Sequence, residues 1–234
     1  MKLNELLVEI KNNVNPSKAV LLQRFFKTGP GQYGEGDIFH GIMVPVQRSL
    51  AKKYKDLSLL EIKKLLDSNV HEERLIGLLI LVEQTKKCDD KKKERIFNFY
   101  HRNRKRINNW DLVDLTADRI SGAYLFDKDK SLLYKLTEST NIWERRIAIM
   151  STFHFIKNYS FADALCISEK LLYDKHDLIH KAVGWMLREI GKRDLKTEEE
   201  FLFKYYKIMP RTMLRYAIEK FPEYKRQAFL KGKI

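Results

Sequence analysis

Five segments of this chain look alike: "HEERLIGLLIL" from His71, "WDLVDLTADRI" from Trp110, "WERRIAIMSTF" from Trp143, "IHKAVGWMLRE" from Ile179 and "PRTMLRYAIEK" from Pro210. Each places a small residue at the equivalent point, Gly77, Ala117, Ala148, Ala182 and Ala217, so the spacings are 40, 31, 34 and 35 residues. Shorter helical patterns lie between them: "SLLEIKKLLDS", "KKKERIFNFYHR", "DKSLLYKLTES", "FADALCISEKLLY" and "TEEEFLFKYYKIM". A two-helix unit with a period in the thirties to forties is the signature of an α-solenoid of the HEAT or armadillo kind. One helix pair cannot bury its apolar face alone, whereas stacked pairs bury it against each other. The small residue lets neighbouring backbones approach. The expected fold is therefore all-α: a solenoid of stacked HEAT-like helical repeats with a basic concave face, one domain over residues 1–234.

Composition agrees with that class. Hydrophobic residues make up 44% of the chain, while glycine (10) and proline (5) are scarce. Two further helices are expected at the start, over "KLNELLVEIKNNV" and "PSKAVLLQRFF". They precede one conspicuous glycine-rich loop, "KTGPGQYGEGD", residues 27–37. That loop lacks the GK[ST] ending of a phosphate-cradling loop and follows no strand, so it does not predict nucleotide binding.

The formal net charge is +14, from 45 Lys+Arg against 31 Asp+Glu. Such an excess repels itself in a compact state and points to a polyanionic partner, chiefly nucleic acid. A membrane partner is disfavoured, because no short helix joins a basic face to a strongly apolar one. No apolar run reaches the length of a membrane span, and the first residues lack a signal-peptide core. Cys88 and Cys166 show no CxxC or Cys/His ligand spacing, so no metal site is expected and a reducing cytoplasm fits.

The stretch "INNWDLVDLTADRI", residues 107–120, then poses a problem. Read as one amphipathic helix, it sets Trp110 and Asp114 on the same face, four residues apart. Trp143, Arg145, Arg146, Trp185 and Arg188 fall in the same expected layer of second helices, which holds all three tryptophans of the chain. Singly each is ordinary: a core tryptophan, a solvated aspartate, an arginine such as Arg188 paired with Glu189 or Asp194. Together they put π faces and a carboxylate among arginines. Arginines can follow a phosphate backbone, but a carboxylate is repelled by DNA and needs its own reason. A cation within the nucleic acid supplies one. A purine methylated at a ring nitrogen is such a cation. As its glycosidic bond breaks, the charge moves onto the sugar, where a carboxylate and aromatic faces stabilise it.

These residues carry a family resemblance. "YGEGDIFHGIMVPVQRSLAKKY", residues 33–54, resembles the N-terminal signature of the AlkD-like family of DNA alkylation-repair glycosylases, at Tyr33, Gly34, Gly36, Asp37, Phe39, Gly41, Val44 and Pro45. "NNWDLVD", "WERRIAI" and "KAVGWMLREIG" resemble its tryptophan–aspartate, arginine and second-tryptophan segments. The resemblance implies a HEAT-like repeat enzyme that removes N3- or N7-alkylated purines from double-stranded DNA and leaves an abasic site. It implies Asp114, Trp110 and Trp185 as catalytic residues and Arg146 as the phosphate contact with Arg145 as the alternative; Tyr33 and, from the same arginine layer, Arg188 are expected as further DNA contacts. No cofactor and no second chain are implied, so a monomer is expected. The competing expectation is a solenoid that binds distorted nucleic acid without chemistry. Trp143 is expected to be structural.

Overall fold

The computed structural model describes residues 2–234 and is all-α, with only an isolated parallel bridge between Ile38 and Val70 in extended conformation among them. The chain divides into two compact units, Met1–Ile120 and Ser121–Ile234. The first holds α1 (Lys2–Asn12), α2 (Pro16–Phe25), α3 (Val44–Lys53), α4 (Leu59–Leu66), α5 (His71–Thr85), α6 (Asp90–Arg102) and α7 (Trp110–Asp114). The second holds α8 (Ala123–Leu125), α9 (Ser131–Thr137), α10 (Ile142–Lys157), α11 (Ala162–Lys170), α12 (Asp177–Gly191), α13 (Leu195–Tyr205), α14 (Arg211–Ala217) and α15 (Glu223–Lys231).

Local chemistry sets the helix starts. The Asn15 side chain accepts the Lys18 N–H, and Pro16 stands where its missing N–H costs nothing. Ser58 and Glu61 form a reciprocal capping box on α4, and the side chains of Asp89, Asn141 and Asp194 cap α6, α10 and α13.

The repeat logic is plainest in the second unit. α10 packs on α12 and α12 on α14, while α9, α11 and α13 lie against them as a second layer. Ala148, Ala182 and Ala217 are fully buried in the layer of second helices. At Gly184 an added Cβ would stand 2.4 Å from the Met213 carbonyl oxygen, so α12 and α14 approach almost backbone to backbone. In the first unit α5 takes the same part, packed by α3 and α4, and a Cβ at Gly77 would stand 3.1 Å from that of Leu65.

The stretch from Trp110 to Ile120 differs from the expected single helix. α7 ends after five residues, and a π-helical turn, Asp118–Gly122, follows. The physical reason lies at Thr116. Its hydroxyl donates to the Leu112 carbonyl at 2.5 Å, while its own N–H goes to Val113 rather than Leu112, so side chain and backbone compete for one acceptor.

Candidate nucleic-acid site

In the first unit, a pile of rings fixes Trp110. Its indole stacks on Phe26 at 5.0 Å and 10° between planes; Phe26 stacks on Phe39 at 4.9 Å, and Phe39 on the His71 imidazole at 4.4 Å. Phe25, largely exposed, meets the indole edge-on at 5.8 Å. Trp110 is half-buried, with one indole face held by Phe26. Asn109 caps the helix by accepting the Trp110 N–H at 2.9 Å. One turn on, Asp114 closes α7, also half-buried. Its charge reaches the buried Tyr100, whose hydroxyl is pushed up by burial first, then by Asp118 and Asp114.

Beneath the rings lies a buried ionic cluster. His71 Nδ1 is 3.0 Å from Asp37 Oδ2, and its Nε2 is 2.8 Å from Asp111 Oδ2. Arg74 Nη2 donates to Asp37 Oδ1 at 2.6 Å. Burial alone would lower the His71 imidazole, but Asp111 and Asp37 outweigh it and push its pKa up to about 9. Burial would raise Asp37, yet His71 and Arg74 hold it below its ordinary value.

Next to that cluster, Glu72 is fully buried and its carboxylate accepts three successive backbone N–H groups, from His40 (3.0 Å), Gly41 (2.8 Å) and Ile42 (3.2 Å). Gly41 has φ +81°, and a Cβ there would stand 2.1 Å from the Asn15 carbonyl oxygen. At Gly34 it would stand 2.4 Å from the Phe26 carbonyl oxygen. The signature of residues 33–45 thus seats the loop on α2 and α5. Tyr33 lies within that loop, half-buried.

The second unit carries the other predicted residues on α10 and α12, two helices that pack together. Trp143 is buried, at 7% exposure. Arg145 is taken up within the fold: it pairs with Asp174 at 2.6 Å and donates to the carbonyls of Ser139 and Thr140. Arg146 is buried, and its Nη1 donates to the Leu178 carbonyl. Trp185 is half-buried beside Phe153, with its indole N–H donated to Glu189 at 3.2 Å. Burial would raise the Glu189 carboxyl, but Lys192 and Arg193 outweigh it and hold it low. Arg188 pairs with Glu219, in the turn after α14, rather than with Glu189 or Asp194.

Within the first unit, then, the fold brings Trp110 and Asp114 onto one short helix; within the second it brings Arg145, Arg146, Trp185 and Arg188 onto two packed helices. Sequence reasoning missed His71, Glu72, Arg74 and Asp111. A charged first turn such as "HEER" normally faces water. What joins that turn to the loop, Asp37 against His71 and Arg74 and the backbone of residues 40–42 against Glu72, is visible only once the loop is folded onto α5.

Stacked helices with small residues at a fixed period define the class, an all-α repeat protein, and its net charge of +14 suits a nucleic-acid partner. Comparison with known proteins agrees. The pattern of the DNA alkylation repair enzyme family matches residues 6–221, and the chain belongs to that family. Among solved structures, a predicted DNA alkylation repair enzyme from Enterococcus faecalis shares the fold at a TM-score of 0.70, with 16% identity over 90% of this chain and 98% of that one. No protein of curated function matches the sequence significantly. No helix among the described residues is long and apolar enough to cross a membrane.

Proposed function

We propose that this chain is a monofunctional DNA glycosylase that hydrolyses the N-glycosidic bond of N3- or N7-alkylated purines in duplex DNA. The observation that carries this reading is α7, where Asp114 follows by one helical turn an indole pinned on Phe26. An N-alkylated purine is cationic, so heterolysis of its bond to C1′ releases a neutral base with both bonding electrons and leaves the positive charge on the sugar. Asp114 stabilises that oxocarbenium ion and orients the water that adds at C1′; the water's proton passes through the carboxylate to solvent. The products are the free alkylated base and an abasic site.

Because the base departs neutral, no strong general acid is needed. Trp110 offers a π face to the sugar and its charge, and Trp185 is assigned as a further catalytic aromatic. Arg146 holds a backbone phosphate; Arg145, already neutralised by Asp174, is the alternative. Arg188 and Tyr33 are further DNA contacts. The reaction uses water and no cofactor, and the enzyme acts as a monomer in the cytoplasm.

The test is chemical. Methylated duplex DNA is incubated with the wild-type chain and with Asp114→Asn, and released bases are identified by mass. The reading predicts free 3-methyladenine or 7-methylguanine from the wild type, with unbroken strands carrying abasic sites. Tight binding of damaged duplex with no base released would leave a binding protein in place of a glycosylase.

A further inference from the structure

His71 touches both supports of the Trp110–Asp114 turn. Its imidazole forms the base of the ring pile that carries Trp110, and its Nε2 faces the carboxylate of Asp111, the next residue of α7. The opposite nitrogen faces Asp37 of the glycine loop. Ionised carboxylates only accept, so holding both needs both ring nitrogens as donors, which only the imidazolium provides. All three groups are nearly inaccessible: His71 at 1%, Asp111 at 5% and Asp37 at 6% exposure. A five-residue helix is not stable by itself and takes its orientation from such ties.

Resting on the glycosylase reading above, we propose that His71 is a positioning residue: as an imidazolium between Asp37 and Asp111, it holds α7 against the glycine loop and so aims the Asp114 carboxylate. The groups facing it are Asp37 from the loop and Asp111 from α7, with Arg74 of its own helix on the far oxygen of Asp37, Arg106 acting on Arg74, and the rings of Phe26 and Phe39 beside it. Glu72, next in sequence, turns to the backbone of residues 40–42.

The proton on His71 decides the pH dependence. Its folded pKa, about 9, lies above the ordinary value of 6.5. Its contribution is therefore complete below the ordinary value and is lost as pH rises through about 9. Asp37, held low, stays ionised throughout that window. A neutral imidazole keeps one donor, so one of the two carboxylates is then released.

The experiment follows two readouts on the full chain. Nuclear magnetic resonance tracks the His71 ring and the Trp110 indole N–H, without DNA, from about pH 7 to about pH 10. The indole resonance should move with the His71 midpoint; in His71→Gln it should be displaced at every pH and should not titrate. In single-turnover excision, His71→Gln should lower the rate constant roughly 10- to 100-fold, the effect of an ångström-scale misplacement, with DNA affinity unchanged. It should also lose the alkaline fall of the wild-type rate.

A merely structural His71 would reduce melting temperature and the active fraction but leave the rate constant and its pH profile intact; that result overturns the proposal. So does an indole resonance indifferent to the state of His71. Should His71→Gln fail to fold, the wild-type titration decides alone. If the wild type releases no base, it is the glycosylase reading that fails, and the indole resonance still decides whether His71 positions α7.

Discussion

On the proposed glycosylase reading, Asp114 and Trp110 share a helix face so that a cationic sugar meets charge and π surface together, and one helical turn is the shortest way to hold both. Trp110 is supported from one side by Phe26 and remains half-buried, whereas Trp143 is buried. The two tryptophans should therefore respond differently to truncation. Trp143→Ala should cost about 3–5 kcal/mol of folding stability, as for other buried aromatics. Trp110→Ala should lose excision activity out of proportion to stability, and Phe at that position should restore part of it. Urea denaturation and single-turnover excision on the same preparations check both. A Trp110→Ala variant as destabilised as Trp143→Ala would make the indole a core residue and nothing more.

At the scale of elements, the loop of residues 27–42 is held by features that helical periodicity cannot reveal. The small residues of the repeats were legible in the sequence, because close packing of stacked helices demands them at a fixed period; Ala117, Ala148, Ala182 and Ala217 are all fully buried. The glycine signature was legible as a motif but not as geometry: Gly41 is needed for its positive φ and its approach to Asn15. Glu72 was not legible at all, since a glutamate in a first helical turn usually serves the helix dipole in water. Nor was the early end of α7, which depends on the Thr116 hydroxyl choosing the Leu112 carbonyl. The Glu72 clamp makes a prediction. Glu72→Ala leaves three N–H groups without their acceptor and should cost at least about 3 kcal/mol, while Glu72→Gln keeps one acceptor oxygen and should cost less. Equal losses for the two variants in urea denaturation would show that packing, not acceptance, holds the loop.

For the whole molecule, the net charge of +14 and membership of the DNA alkylation repair family both point to DNA, and the proposed reading makes counterion release drive binding to the duplex. Affinity should fall steeply with salt, at a slope of about −0.9 per neutralised phosphate. Arg146→Ala should flatten that slope by roughly one unit on any sequence and, because it removes a buried donor to the Leu178 carbonyl, lower the melting temperature as well. Arg145→Ala, which strips a partner from Asp174, should lower the melting temperature and leave the slope alone. The reverse result would move the phosphate contact to Arg145. Charge accounts for the proposed binding; it does not account for a carboxylate one turn after Trp110. Asp114→Asn keeps shape and removes charge, so the measurement that bears on it most directly compares single-turnover excision and duplex affinity of wild type and this variant on one alkylated duplex. A preorganised charge acts as the transition state develops, so excision should fall by roughly 100- to 1000-fold while binding holds or tightens slightly. Full excision by Asp114→Asn would contradict the account and leave α7 as a helix end beside a stacked tryptophan.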